Sequence, residues 1–569
     1  MSPHLKSATP INREHATNVG VRNYALLFFG CVLFHLAGTW SLPLVDRDEP
    51  RFAEASREMI ERGDYIVPYF NNHVRFDKPP LAYWAQVTSY KVFGENDLAA
   101  RFPSAIAAAL VAVVLLAWGR RMQNAPVSGR DVSPKRPINS NKKSDGSESR
   151  PYLNNHFASV GWWAAIIFTL SLQTFVHAKA AVADMWLVLF VTLAHWSGYE
   201  LLRDLLGPGL QIASARPAVA PSHQTRWWLV FYLALAFGFL AKGPIAWTPL
   251  LAVGSTVFFV RGSQLNQRFR FVRGIVLMLA VVAVWGIPAL IRTHGEFLTI
   301  GIGRHVIGRS FGAMEGHGAN SLGAYLLLLP FYFVTLFASF FPWSIKLPWL
   351  VRTLWREQEA GVDDPGYSGR DNIDNYLIAG TAIIFIIFTL IKTKLPHYTL
   401  PAFPLLSLLL ARHWLGQRTP LAPAPTAAER RRSLFKPIAI TSACLYLILA
   451  LFVALFGARF FPAWQLYRES REYLRPEMQF GAVDYNEPSL VWYFRSPESV
   501  RGWLAAPALH PTIVQRFMEQ PGPCFVILPT DLANKIYPAL PNDWKDFRAR
   551  GFNIAKGKRV DLTLVLKPE

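Results

Sequence analysis

A chain of 569 residues that is 52% hydrophobic, 14% aromatic and only 17% charged is too apolar for an ordinary soluble enzyme of its length. Its net charge of +20 comes without an RNA- or DNA-binding signature. The basic residues gather in loops between apolar runs, so the positive-inside rule accounts for most of them and no nucleic-acid partner is expected.

The chain reads in order as a polytopic α-helical membrane protein. Lys6, Arg13 and Arg22 precede the first apolar run and argue for a cytoplasmic N-terminus. That run has no small-x-small cleavage site, so it is expected to be an uncleaved span. Runs of apolar residues approaching the ~20 needed to cross a bilayer predict spans at about 24–40, 99–118, 158–176, 181–202, 227–241, 245–260, 274–292, 321–341, 375–391, 399–411 and 435–456. In lipid these must be helices, because every backbone group needs an internal partner. The count is about eleven, or about thirteen with a hidden pair, and an odd number places the two ends of the chain on opposite sides. The Arg-, Lys-, Ser- and Pro-rich stretch near 125–150, RGSQLNQRFRFVR from Arg261 and AERRRSLFK from Ala428 then fall in the cytoplasm. The loop 41–98 falls outside it. Residues 1–456 are thus expected to form a transmembrane catalytic domain. Residues 457–569, with FGAVDY, SLVWYF, CFVILP and LTLVL as short strands, are expected to form a small soluble α/β domain outside the cytoplasm. Cys31, Cys444 and Cys524 stand at no metal or redox spacing, so no disulfide framework is expected.

Some charges break the loop rule. The outer side carries Lys78 in FDKPPL, His177, Lys179 and Asp184 in VHAKAAVADM, Lys242 in AKGP, Arg304, His305, Arg309 and His317 in GRHVIGRSFGAMEGHG, and Lys392, Lys394 and His397 in KTKLPHYTLP. Any single lysine here reads most simply as a snorkelling side chain. Five clusters on one side point to a shared anion-binding cavity at the outer membrane surface, because ionisable groups at membrane depth usually face a functional cavity and Lys and Arg suit phosphate. The first loop supplies the opposite charge. In DEPRFAEASREMIERG, Phe52, Ala55, Met59 and Ile60 form one helical stripe, and Asp48 and Glu49 sit near its N-terminus, where carboxylates are favourable. That helix start explains Asp46 or Glu49 well. It does not explain why Asp48, Glu49 and Arg51 crowd beside a lipid-facing span. Tyr83, Trp84 and Tyr90, after Pro80, suit an interfacial element lying parallel to the membrane.

VDRDEPRFAEASREMIERGDYIVPYFN, FDKPPLAYWAQVTSYKVFGENDLAARFPSAIAA, LAKGPIAW, FPWSI and KTKLPHYTLP together resemble the lipid-phosphosugar glycosyltransferases of the GT-C fold. They are most similar to the bacterial 4-amino-4-deoxy-L-arabinose lipid A transferases of glycosyltransferase family 83, relatives of the protein O-mannosyltransferases. The resemblance spans the membrane region. It implies an inverting pentosyltransferase that takes aminoarabinose from undecaprenyl phosphate and transfers it to lipid A phosphates at the periplasmic face of the bacterial inner membrane. It also implies resistance to polymyxin-type cationic peptides.

On this reading the enzyme must neutralise a leaving lipid phosphate. Lys78 is assigned that role, with Arg51, Lys242 and Lys394 as further donor-phosphate ligands. A lipid A phosphate is already ionised near neutral pH, so Asp48 is expected to orient the acceptor, bind the donor's ammonium or stabilise positive charge at the sugar more than to act as a strong base. The resemblance places the functional carboxylate at Asp48, with Glu49 second. Asp184, Lys179, Arg304, His305, His397 and Tyr398 are expected to line the substrate cavity, against an interfacial belt for His397 and Tyr398 and a structural ion pair of Asp184 with Lys179 or Lys242. His177, His305, His317 and Glu315 show no tight ligand spacing, so no cofactor is expected to be required and a bound divalent cation is left open. The chain is expected to act as a monomer. The rivals are a transporter, which would favour internal repeats and broken helices at the midplane, a GT-C enzyme with another polyprenyl-phosphate sugar and a protein or glycan acceptor, and a structural scaffold.

Overall fold

Helices stand at each stretch whose apolar run predicts a span. The computed structural model describes residues 14–123, 160–206, 221–258, 260–308, 310, 312, 321–363, 372–415, 426–496, 499–505 and 509–569. The first helices are α1 (Glu14–Leu36), α2 (Asp48–Arg62), α3 (Leu81–Phe93), α4 (Asp97–Gln123), α5 (Val160–Thr169), α6 (Leu172–Ala178), α7 (Asp184–Leu206), α8 (Pro221–Lys242), α9 (Thr248–Ser255), α10 (Gly262–Phe269) and α11 (Phe271–Arg292). Helices Leu322–Leu327, Phe331–Ser339, Leu347–Asp363, Asn372–Leu390, Phe403–Leu415 and Thr426–Phe456 follow. Among the described residues, five helices are long and apolar enough to cross a bilayer, and seven if two bent pairs each count as one span. The chain is a multi-pass membrane protein.

Burial separates centre from rim. The apolar windows of α4 and α7 are each 72% buried, whereas those of Gly262–Arg292 and Leu434–Phe460 are only 22% buried. The last two therefore turn Val272, Val284 and Leu455 outward, as lipid-facing helices do. At the centre, α4 and α5 touch through Gly119 and Gly161. A Cβ on Gly119 would stand 2.4 Å from the Gly161 Cα, so only small residues allow this approach.

The first loop is a folded layer on top of the bundle. The stripe Phe52, Ala55 and Met59 on α2 packs on Ala82, Tyr83 and Val87 of α3 and on Ala183 before α7. Gly63 ends α2 with φ 63°, the left-handed conformation that favours glycine. Tyr83 and Tyr90 do not form an interfacial belt. Both are buried, Tyr83 stacked on Phe52 where α2 covers α3, and Tyr90 on Trp492 of the C-terminal segment.

That segment holds a four-stranded sheet of order β3-β4-β6-β5, following the small hairpin of β1 (Tyr69–Phe70) and β2 (His73–Val74) in the first loop. β3 (Gln479–Ala482) runs parallel to β4 (Cys524–Pro529), and β6 (Lys558–Lys567) pairs antiparallel with both β4 and β5 (Lys545–Asn553). FGAVDY, CFVILP and LTLVL contribute β3, β4 and β6. SLVWYF does not form a strand. It lies in a helix, Pro488–Phe494, started by Pro488 and buried at every position. A short continuous apolar run fits a buried helix as well as a strand. β5 went unread because KDFRARGFN carries the charges of an edge strand.

The sheet does not stand apart from the membrane domain. Leu44, Ala53, Tyr90 and Ala181 share one apolar cluster with Phe480, Trp492, Phe525 and Leu564. Charge reinforces the contact. Arg495 donates to Glu54 at 2.5 Å and also pairs with Glu61, while Arg57 pairs with Glu54 and lies 4.5 Å above the Trp492 ring.

A second ionic tie holds the start of α2. Arg101 of α4 donates from Nε and Nη2 to Glu49 at 2.9 and 2.7 Å, and it also donates to the carbonyls of Leu42 and Pro43. Glu49 in turn accepts from the backbone N–H groups of Val45 and Ala181, both at 2.7 Å. Both side chains are almost completely buried. Removing one partner leaves an uncompensated buried charge, so Arg101→Met should destabilise the protein by about 3–5 kcal/mol. Arg101→Met with Glu49→Met should recover much of the loss, as read by thermal unfolding of the purified protein in detergent.

Candidate active site at the polar end of an apolar cavity

Below the first loop the bundle encloses a cavity of about 890 Å³. One end is apolar, walled by Leu251, Leu279, Val282, Ile287, Ile387 and Ile391 among others. The other carries Asp77, Lys78, Asp184, Lys242, His305, His397 and Tyr398. Short irregular segments deliver these side chains. Lys78 lies in the turn into α3, Lys242 is the last residue of α8, Asp184 opens α7, and His397 and Tyr398 sit in the 3-10 turn Pro396–Ala402. Helix ends meeting in one layer put charge at the bilayer surface while the helix bodies stay apolar.

The polar end is built around two ion pairs. Lys242 Nζ donates to Asp184 Oδ1 at 2.5 Å, and the same ammonium lies 5.8 Å from the Tyr398 ring. His177 and His397 complete this group, their rings 5.0 Å apart. Of the two partners expected for Asp184, the structure selects Lys242. On the opposite wall, His305 Nε2 stands 3.0 Å from Asp77 Oδ1, and Arg75 holds the other Asp77 oxygen at 3.3 Å. Burial pushes the Asp77 carboxyl up, but Arg75, His305, Lys78 and Arg51 together outweigh it and hold it below the ordinary carboxylate range. Asp77 stays ionised beside Lys78. It escaped the sequence reading although it directly precedes Lys78 in FDKPPL.

Asp48 is exposed at the start of α2 and does not line the cavity wall. Its charge nonetheless acts on Arg75, Tyr83 and His177, so it lies within electrostatic reach of them. Half-buried Arg51 acts in the same way on Asp46 and Asp77.

Four expected positions lie elsewhere. Glu49 is walled off in its ion pair with Arg101, all its acceptor capacity turned to the fold, so it positions α2 and does not meet substrate. Lys179 donates to the carbonyls of His35 and Ala37 at 2.9 and 2.5 Å and caps the end of α1. Lys394 donates to the carbonyls of Phe388 and Thr389 at 2.9 and 2.5 Å and caps helix Asn372–Leu390. Both are cations satisfied by a helix C-terminus and directed away from the cavity. Arg304, in the π-helix Phe297–Gly308, is exposed and not part of the cavity wall. His177 and His305, which show no tight ligand spacing in sequence, stand in different groups: His305 joins Asp77 while His177 joins Asp184 and His397. Arg309, Glu315, His317 and the stretch near 125–150 lie outside the described residues.

No family model matches the chain. The structure resembles the crystal structure of ArnT from Cupriavidus metallidurans bound to undecaprenyl phosphate, with a TM-score of 0.64 at 18% identity over 96% of this chain and 98% of that one. The chain has the GT-C fold. ArnT in its apo state aligns over the same shares with a TM-score of 0.62. In sequence, the chain is 26% identical over 387 residues to the undecaprenyl phosphate-alpha-4-amino-4-deoxy-L-arabinose arabinosyl transferase of Aeromonas salmonicida. It is 27% identical over 390 residues to the enzyme of that name in Edwardsiella ictaluri. Each match covers 68% of this chain and 58% of the relative, so the chain matches less than two thirds of these relatives' length.

Beside Asp48, the GT-C first loop carries acids whose titration matters. Asp46 accepts from the N–H and Oγ of Ser489 at 2.9 and 2.6 Å. Burial raises its carboxyl to about 7 against the lowering effect of those bonds. Burial, then the neighbouring Glu54, raises Glu58 to about 7. Both groups hold their protons more tightly folded than unfolded. The stability they contribute is therefore complete below their ordinary values near pH 4 and is lost as the pH rises through about 7. The thermal midpoint of the wild type should fall more steeply between about pH 5 and pH 8 than that of Asp46→Asn with Glu58→Gln. Parallel curves would remove these carboxyls from the pH response.

Proposed function

We propose that the chain is an inverting glycosyltransferase that moves 4-amino-4-deoxy-L-arabinose from undecaprenyl phosphate to a lipid A phosphate, at the periplasmic face of the bacterial inner membrane. The observation that carries this reading is one cavity lined both by long apolar side chains and by a charged cluster that includes Lys78 and Lys242. A polyprenyl phosphate combines the same two characters, an anionic head on a hydrocarbon tail. The names of the sequence relatives and the ArnT fold support the same donor.

The chemistry then needs little covalent help. An oxygen of the acceptor phosphate attacks the anomeric carbon from the face opposite the leaving group. The bond from that carbon to the donor phosphate oxygen breaks with its electron pair, and undecaprenyl phosphate leaves. Lys78 and Lys242 meet the negative charge that grows on the leaving phosphate. Asp48, held over the site by α2, faces the positive charge that develops at the sugar or the sugar's own ammonium. A phosphate nucleophile is already ionised, so Asp48 acts as an orienting and charge-stabilising group and removes no proton.

Mass spectrometry of lipid A from cells with and without the chain should show a pentosamine addition that depends on it. Asp48→Asn and Lys78→Ala should each lower that addition at least about 100-fold while the protein still inserts and purifies folded. Unchanged lipid A alongside an altered glycoprotein or glycan would move the acceptor. Wild-type transfer by either variant would remove that residue from the site.

A further inference from the structure

His177, Asp184 and His397 come from three separate elements, yet one ligand atom of each lies within 4.8 Å of the other two. Two imidazoles and a carboxylate form a donor set that binds divalent transition metals. A fourth group already holds the carboxylate of the set. Lys242 reaches Asp184 Oδ1 at 2.5 Å, and its charge acts on both imidazoles.

We propose that His177, Asp184 and His397 form a cation cage whose resident cation is the Lys242 ammonium, standing where a metal-dependent enzyme would hold its ion. Occupancy favours the ammonium. Lys242 already holds Asp184 Oδ1 at 2.5 Å, so an incoming divalent ion would have to displace a bound cation from the one carboxylate of the set.

The surroundings hold the cage in shape. His177 Nδ1 lies 3.2 Å from the Gln173 carbonyl and 3.0 Å from the Gln173 amide nitrogen, and Ser339 donates to Gln173 Oε1 at 3.1 Å. These contacts fix the ring beside the cage, with Nε2 also 3.5 Å from the Gln173 amide nitrogen, as outer partners do for metal-bound histidines. Of the three protons on Lys242, one goes to Asp184. The others serve the imidazoles or a phosphate oxygen in the cavity that Lys242 lines. The cage therefore supplies the fixed positive charge that a bound metal would otherwise bring to a leaving phosphate. The identity of that phosphate rests on the proposed transfer; the cage does not.

The test is titration of purified protein in detergent with Co²⁺, followed by visible absorption, which requires no substrate. Wild type should gain no d–d absorption at one equivalent, and any transfer activity it shows should survive EDTA. Lys242→Ala, its cage emptied, should take one equivalent of Co²⁺ with tetrahedral absorption and gain thermal stability from it. Lys242→Ala with Asp184→Asn should take none. Stoichiometric Co²⁺ binding by wild type that disappears in His397→Ala would overturn the proposal, since the cage would then hold a metal. So would a folded Lys242→Ala that binds no Co²⁺. If Lys242→Ala cannot be extracted folded, the wild-type titration decides alone. Because binding is read directly, failure of the sugar-transfer reading would show in lipid A and leave these absorptions unchanged.

Discussion

The pairing of Glu49 with Arg101 is the constraint on which the outer half of the molecule depends. It joins the end of the first span, the start of α2, the body of α4 and the segment before α7 through one buried guanidinium and one buried carboxylate. Desolvating two charges is costly, and the hydrogen bonds from Val45 and Ala181 and to Leu42 and Pro43 offset that cost. With α2 fixed at its first turn, Asp48 has a defined address. With α2 fixed along its length by Arg495 and Trp492, the C-terminal sheet becomes part of the same rigid layer.

The cations of the outer side divide by what satisfies them. Lys179 and Lys394 end against the carbonyls of helix C-termini. Lys78 and Lys242 open onto the cavity. All four read alike in sequence, as lysines on the side opposite the basic loops, each most simply a snorkelling side chain. The difference lies in geometry. Lys394 meets carbonyls five and six residues back in its own chain, so its capping role was locally legible. Lys179 meets carbonyls more than 140 residues earlier, and no local pattern shows that.

The membrane architecture was legible because lipid leaves so few options: long apolar runs must be helices, and helices stand where the runs lie. The apolar stripe of α2 was legible from its 3.6-residue period. Its other face was not, because Glu54 and Arg57 look solvated until helix Pro488–Phe494 and Arg495 cover them. The same long-range contact turned Tyr90 from an expected interfacial residue into a buried one, while Tyr83 is buried by Phe52 and Arg75 within the first loop. Glu49 and Asp48 are adjacent and chemically similar, and only the fold separates the buried tie from the exposed carboxylate. Asp77 was within reach of sequence reasoning, while its pairing with His305 joins the first loop to the π-helix after α11 and required the structure.

The proposed transfer rests on one physical idea, that a cavity combining Lys78 and Lys242 with a hydrocarbon lining holds a lipid phosphate for attack. Native mass spectrometry of the purified protein with undecaprenyl phosphate tests it most directly. The account predicts one bound lipid per chain, with affinity at least about tenfold weaker in Lys78→Ala, since a lost charge-assisted contact is worth about 1.5–3 kcal/mol. Equal binding by wild type and by Lys78→Ala with Lys242→Ala would contradict it.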